Sequence, residues 1–286
     1  MTDRQKGILY VACAALLWST GGIGIKAIAD PPLKVTFYRS LFAALGLFAL
    51  LGRNVWRRRW SSPATFAIAI ISYCGCLTTF VVATKWTTAA NAIFLQYAGV
   101  VWVLLLSPLV VREPMRTRDV VAIGVAVGGM ALFFIGRFEA RGMAGNGMAL
   151  LSSVFFAALI LALRRERDAG QSAITWGNLA LAVVLLPAVH DQLALTPKSF
   201  GVLLFLGLFQ IALAYTLFVK GLKYVTATQA SLTGMLEPIS NPIWVLLFLG
   251  ERPSPFAIAG AGVVLAAIAW HTLAGGEPAS ELPAPD

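Results

Sequence analysis

The chain has little charge, few cysteines and almost no histidine. Of its 286 residues only 12% are Asp, Glu, Lys or Arg, where a soluble domain carries about a quarter. There are three cysteines, Cys13, Cys74 and Cys76, and two histidines, His190 and His271. No clustered Asp, Cys and His set can build a metal or nucleophilic site, so an enzyme is not expected. Cys74 and Cys76 stand two apart, a spacing that turns them to different sides of a helix. They make a poor metal pair and are expected to pack as small apolar residues.

What the chain does have is apolar length. Hydrophobic residues make up 58% of it, and the mean hydropathy is +0.79. The charges fall in short groups between apolar runs of about twenty residues, the length a helix needs to cross hydrocarbon. Ten spans follow, at roughly 7–28, 35–51, 64–84, 88–110, 118–136, 144–163, 172–189, 199–219, 226–249 and 256–274. The fold class is therefore an all-α integral membrane protein of ten transmembrane helices, with no soluble catalytic domain. Ala27-Ile28-Ala29 superficially resembles a signal-peptidase site, but the apolar segment before it is too long and Lys26 interrupts its end. The stretch Glu277–Asp286, rich in Pro and acid, reads as a disordered tail.

The net charge of +9 could suggest nucleic acid, but its distribution points to a membrane instead. With the N-terminus in the cytoplasm, the inside segments carry Arg4 and Lys6, Arg53 and Arg57 to Arg59, Arg112, Arg116 and Arg118, Arg164, Arg165 and Arg167, and Lys220 and Lys223. Half as many lie outside: Lys26, Lys34, Lys85, Arg137, Arg141, Lys198 and Arg252. That bias over short loops fixes orientation by the positive-inside rule. Both termini are expected on the cytoplasmic face of the inner (plasma) membrane.

The sequence also repeats itself. Lys85-Trp86-Thr87-Thr88-Ala89 recurs as Lys223-Tyr224-Val225-Thr226-Ala227, an offset of 138 residues. The same offset pairs Gly7 with Gly145, Lys26 with Arg164, Ala92 with Ala230, Glu113 with Glu251 and Gly124 with Gly262. A constant register across a whole half marks a duplication, with residues 1–139 as one five-helix copy and 140–276 as the other. Five is odd, so the second copy enters the membrane from the opposite side, giving two inverted repeats. Such symmetry lets two halves exchange conformations around a midplane site, as secondary transporters require.

At these residues the chain resembles the drug/metabolite transporter superfamily, EamA type. Leu16-Leu17-Trp18-Ser19-Thr20 looks like that family's opening helix, and Arg39-Ser40-Leu41 sits where the family usually has an intramembrane arginine. Leu222 to Ala227, then Met235-Leu236-Glu237-Pro238 and Leu249-Gly250-Glu251-Arg252, resembles its helix 8–9 signature. The first half departs from the pattern. Val100 occupies the register of Pro238, and Pro108 lies further along, so a break in helix 4 is expected to be displaced or absent. The resemblance implies export of small metabolites, frequently amino acids, with no bound cofactor.

Charge within hydrocarbon costs about 2.5–3.5 kcal/mol at a helix centre, which makes intramembrane charge a functional candidate. Glu237, beside Pro238 and near Pro242, can bind a substrate amine or a coupling proton, or be a structural carboxyl. Arg39 can hold a substrate carboxylate bidentately or pair with Glu237. Lys26 binds as a point charge or snorkels to the interface. Trp18, Gln96, Tyr97 and Gln229 are expected to line one cavity between the halves, which suits an amphipathic substrate. Glu113 and Glu251, at equivalent ends of helices 4 and 9, are expected to clamp loops or act as gates. The Gly124-xxx-Gly128 pair and its counterpart Gly262-xxx-Ala266 permit close helix approach, between the halves in preference to across a homodimer. The expected partners are thus a small-molecule substrate and membrane lipid, with proton coupling open, no nucleic acid, and a monomer or homodimer. Cysteine accessibility labelling is expected to place both termini and the Arg53–Arg59 loop on the cytoplasmic face; a C-terminus labelled from outside refutes the ten-span reading.

Overall fold

The computed structural model of the chain describes residues 1–52, 55, 60, 62–133, 135, 142–166, 169–249 and 254–274. Glu251 and the tail from 277 to 286 lie outside them. All regular structure among the described residues is helical. Helix α1 runs Asp3–Trp18 and resumes as Gly21–Lys26; α2 is Pro32–Leu51 and α3 Pro63–Trp86. Helix α4 is Ala89–Gln96 followed by Gly99–Val110, α5 is Thr117–Phe133, α6 is Met143–Arg165 and α7 is Gly170–Val189. Helix α8 comprises Pro197–Phe205, a π-helical Leu206–Leu213 and Ala214–Gly221. Helix α9 is Ala227–Gly234 then Leu236–Leu249, and α10 is Pro255–Ala274.

The starts of these helices are written in the sequence. Pro32, Pro63 and Pro197 open theirs, where the missing N–H is no loss. Thr2, Ser62, Thr88, Thr196 and Thr226 cap the following turn, each side chain accepting the N–H of the residue three on. Eight of the helices among the described residues are long and apolar enough to cross a membrane; α5 and α9 fall outside that set. The side chains are sorted as a lipid solvent demands. Leu109, Val184 and Leu247 are exposed, while Arg39, Asn91, Gln96, Asn178, Gln210 and Glu237 are buried. In water that arrangement would be inside out. The molecule is an all-α, multi-span membrane fold.

Helix α3 packs along α6, α1 along α8, α2 along α7 and α5 along α10. Two glycines at equivalent positions mark close crossings. A Cβ on Gly7 would stand 2.7 Å from Tyr224 Cβ, and one on Gly145 would stand 2.8 Å from the Thr87 backbone nitrogen. The GxxxG spacing has a different fate from the one expected. Gly124, Gly128 and Gly262 have nothing within 4 Å of where a Cβ would sit, and it is Gly129 that abuts Val263 and Val264. The Gly124–Gly128 stripe faces outward because α5 meets α10 through its other side.

Polar ties hold the helix ends. At the end carrying the N-terminus, Arg164 Nε donates to Glu113 Oε1 at 2.6 Å and Arg164 Nη1 donates to the Leu222 carbonyl at 3.0 Å. The second Glu113 oxygen accepts the Ala227 N–H at 2.8 Å, so one carboxylate joins α6 to the first turn of α9. At the opposite end Asp30 pairs with Lys34 at 2.7 Å and accepts the Ser199 hydroxyl at 2.5 Å. Burial alone would push the Asp30 carboxyl up. Hydrogen bonds from Lys34 and Ser199, with the charges of Lys34 and Lys85, outweigh it and hold the carboxyl below its ordinary value. A depressed acid stabilises the fold above its ordinary value and loses that contribution only as pH falls through the lowered one. This tie therefore persists at neutral and mildly acid pH. The Glu113–Arg164 pair is the more demanding, since both side chains are almost wholly buried. Glu113→Gln strands the guanidinium and is expected to lower stability by about 3 kcal/mol, read by thermal unfolding in detergent. A second change, Arg164→Met, is expected to restore much of the loss; if it does not, the charge pair is not the cause.

Candidate functional site: a cavity between two broken helices

Helix α9 breaks for a reason visible in its sequence. Pro238 has no N–H to give the carbonyl four residues back, that of Gly234, so the helix stops at Gly234 and restarts at Leu236. Helix α4 breaks as well, although it lacks a proline there. It stops at Gln96 and restarts at Gly99, with shorter-range bonds from Ala98 N to Leu95 O and from Val100 N to Tyr97 O. Tyr97 is the register counterpart of Met235, so the break in α4 is neither displaced nor absent: it falls at the equivalent residue. Its cause is local packing. Gly99 lies so close to α6 that a Cβ there would meet the Ser153 carbonyl oxygen at 2.9 Å.

The two breaks face each other. Tyr97 Oη donates to the freed Gly234 carbonyl at 2.6 Å and stands 2.8 Å from Glu237 Oε2. The phenol thus supplies from α4 the hydrogen bond that Pro238 removes from α9. Beside this junction lies a cavity of about 40 Å³, lined among others by Trp18, Arg39, Gln96, Gln210, Tyr215 and Glu237. That volume has room for a few water molecules and no metabolite.

Two polar side chains of the wall are braced by neighbours. The buried Arg39 donates through Nη2 to Gln210 Oε1 at 2.6 Å, while its Nε has no partner. Gln96 Nε2 donates to the Ser152 hydroxyl at 2.8 Å and approaches Cys76 Sγ at 3.6 Å. Trp18 meets Tyr215 edge-on with centroids 5.0 Å apart and Phe156 at 6.2 Å. Among the described residues no ion pair joins Arg39 to Glu237: Gln210 takes the guanidinium and Tyr97 the carboxyl.

Trp18, Arg39, Gln96 and Glu237 therefore come together, and Tyr97 adjoins them through Glu237. Gln229 stands apart from this cavity. It sits in the first turn of α9, where its Oε1 accepts from Arg4 Nε at 3.4 Å. Lys26 lies at the opposite end, its ammonium donating to the Thr87 carbonyl at 2.8 Å. Glu113 is committed to the Arg164 tie, and Glu251 falls outside the described residues. The residue that reasoning from sequence missed is Gln210. An isolated amide in the apolar run Phe205–Leu213 was its signal, as strong as that of Gln96. It lies in the π-helical segment of α8, a distortion often found at functional sites.

Among the described residues no group of three or more His, Cys, Asp or Glu could hold a metal ion. Two stretches of the chain, residues 5–135 and 143–273, each match the EamA-like transporter family. The uncharacterized transporter YwfM of Bacillus subtilis is 26% identical, over 90% of this chain and 90% of its own length. An uncharacterized transporter of Archaeoglobus fulgidus is 24% identical, covering 93% of this chain and 96% of its own. The uncharacterized inner membrane transporter YicL of Salmonella typhimurium is 24% identical, covering 87% and 89%. One solved crystal structure superposes with a TM-score of 0.82 at 18% identity, over 95% of this chain and 98% of that one, a likeness of fold alone. With both halves matched, the chain belongs to the EamA-like transporter family and is a membrane transporter, not an enzyme.

Proposed function

We propose that this protein is a ten-span secondary transporter of the inner membrane, with both termini cytoplasmic, that exports small amphipathic metabolites such as amino acids by alternating access. The two halves, 1–139 and 140–276, act as inverted copies. Contacts that exchange between the copies support this reading. Gly7 packs on Tyr224 and Val225, and its counterpart Gly145 packs on Trp86 and Thr87, positions that differ from the first pair by the same 138 residues. The pairing of α1 with α8 is likewise the counterpart of α6 with α3. A two-fold relation between the halves generates such reciprocal contacts, and a two-fold axis in the membrane plane is the geometry of an inverted repeat.

The observation that carries the functional reading is one cavity holding a buried guanidinium with a free donor and a buried carboxyl that do not neutralise each other. Arg39, braced by Gln210, presents the Nε that a substrate carboxylate would take. Trp18, Phe156 and Tyr215 offer the apolar body of a metabolite its wall. Glu237 carries the coupling proton. At about 40 Å³ the cavity is closed to a substrate, so loading requires the halves to part. The Glu113–Arg164 tie then serves as the gate at one end.

Purified protein in liposomes is expected to show counterflow of labelled amino acids and pH-gradient-driven net transport. Glu237→Gln mimics the protonated acid. It is expected to keep counterflow while losing the response of net transport to pH, and Arg39→Gln to lose both. Flux without counterflow indicates a channel, and unchanged pH-driven transport in a well-expressed Glu237→Gln protein removes the coupling role.

A further inference from the structure

The Tyr97 junction contains one more short contact than its protons allow if Glu237 is ionised. A phenol has a single proton to give, and both a carbonyl and a carboxylate are acceptors only. Yet Tyr97 Oη stands 2.6 Å from the Gly234 carbonyl and 2.8 Å from Glu237 Oε2. With the phenol proton on the Gly234 carbonyl, a carboxylate at 2.8 Å would meet only the lone pairs of Tyr97. With it on the carboxylate, the Gly234 carbonyl would be an unsatisfied acceptor pressed against an oxygen. Two protons satisfy both contacts. The distances agree, since a phenol donating to a carboxylate closes to about 2.5–2.7 Å, whereas 2.8 Å is ordinary for two neutral oxygens.

From this geometry, and resting on the transporter reading above, we infer that a proton on Glu237, donated to Tyr97, is the clasp that joins the broken helices α4 and α9 in the closed conformation. The chain of donors runs from the Glu237 acid to Tyr97 Oη and from Tyr97 Oη–H to the Gly234 carbonyl. Removing the Glu237 proton to water leaves one phenol proton for two acceptors, so one contact must break and the breaks separate. The other titratable or charged groups turned toward Glu237 are Arg39 from α2, Cys76 from α3 and Tyr215 from α8. Helices α1 and α6 bring Trp18 and Phe156, which do not titrate. Arg39 is held by Gln210, so no direct ion pair competes with the clasp. The proton is thus bound at a place where its loss acts on backbone geometry, and Tyr97 is the positioning residue through which it acts.

Two measurements on the full-length reconstituted protein decide this. Infrared difference spectroscopy across a pH titration is expected to show the carbonyl band of a protonated carboxyl that Glu237→Gln loses and Tyr97→Phe displaces in frequency. Cys76 lines the same cavity, so in a Cys13→Ala, Cys74→Ala background its labelling by a small thiol reagent reports opening. Labelling is expected to rise with pH more steeply than in the same background carrying Glu237→Gln, whose amide keeps the clasp donated at every pH. Tyr97→Phe is expected to remove that difference by leaving the cavity open throughout. Absence of the carboxyl band at every pH at which the protein is folded overturns the inference. So does identical Cys76 labelling with and without Glu237→Gln. Either result, in protein that still shows counterflow, leaves the transporter reading standing and removes only the clasp.

Discussion

A carbonyl released from a helix inside hydrocarbon must find a donor in the protein, because no water is there to supply one. The architecture at the centre of this molecule follows from that constraint. Pro238 releases the Gly234 carbonyl, and the nearest way to satisfy it is a side chain from another helix. Tyr97 does so at 2.6 Å, and in reaching across it fixes the approach of α4 to α9 and sets Glu237 against the phenol oxygen. The break in α9 and the Tyr97 bridge that spans it are consequences of a single missing N–H.

The same constraint explains how two ionisable residues are tolerated without pairing. Arg39 and Glu237 share a cavity wall, and a direct ion pair would be the simplest means of burying both. Instead each is braced by a neutral partner, Gln210 for the guanidinium and Tyr97 for the carboxyl. An ion pair would be a closed interaction, costly to open and offering nothing to a ligand. Two separately braced groups leave the Arg39 Nε free and let one group change its charge without unbinding the other. The firm ionic tie, Arg164 to Glu113, sits at the end of the bundle, where opening it moves a helix terminus and not the site.

Much of this was legible in the sequence because hydrocarbon imposes length and because polar residues within it stand out. Run length gives the multi-span helical fold, with eight helices long and apolar enough to cross among the described residues, Thr and Pro give helix starts, and Trp18, Arg39, Gln96 and Glu237 are visible as polar or aromatic exceptions. Depth separates Gln229, expected at the cavity, from Gln210, which the sequence reading passed over. Gln229 lies three residues after its cap, Thr226, and so sits at a helix mouth, whereas Gln210 lies mid-span and reaches Arg39. The break in α4 was not legible, since no proline marks it; the crossing of Gly99 on the Ser153 carbonyl does, and a crossing is a property of two helices together. Nor could the spacing of Gly124 and Gly128 say which way they face. On a helix apolar all round, both faces satisfy the pattern.

The two halves share their breaks but not their chemistry, and the reason is steric. The counterpart of Glu237 in the first half is Gly99, and there even a Cβ would strike the Ser153 carbonyl at 2.9 Å and the Phe156 ring at 3.3 Å. An acid therefore has no room at that position in α4. The counterpart of Tyr97 is Met235, a side chain with no hydroxyl to give. Duplication supplied two equivalent breaks, and close packing on one side left the acid to the other. The phenol that completes it comes from across the interface. The junction is thus built once, from unlike residues of the two matched stretches.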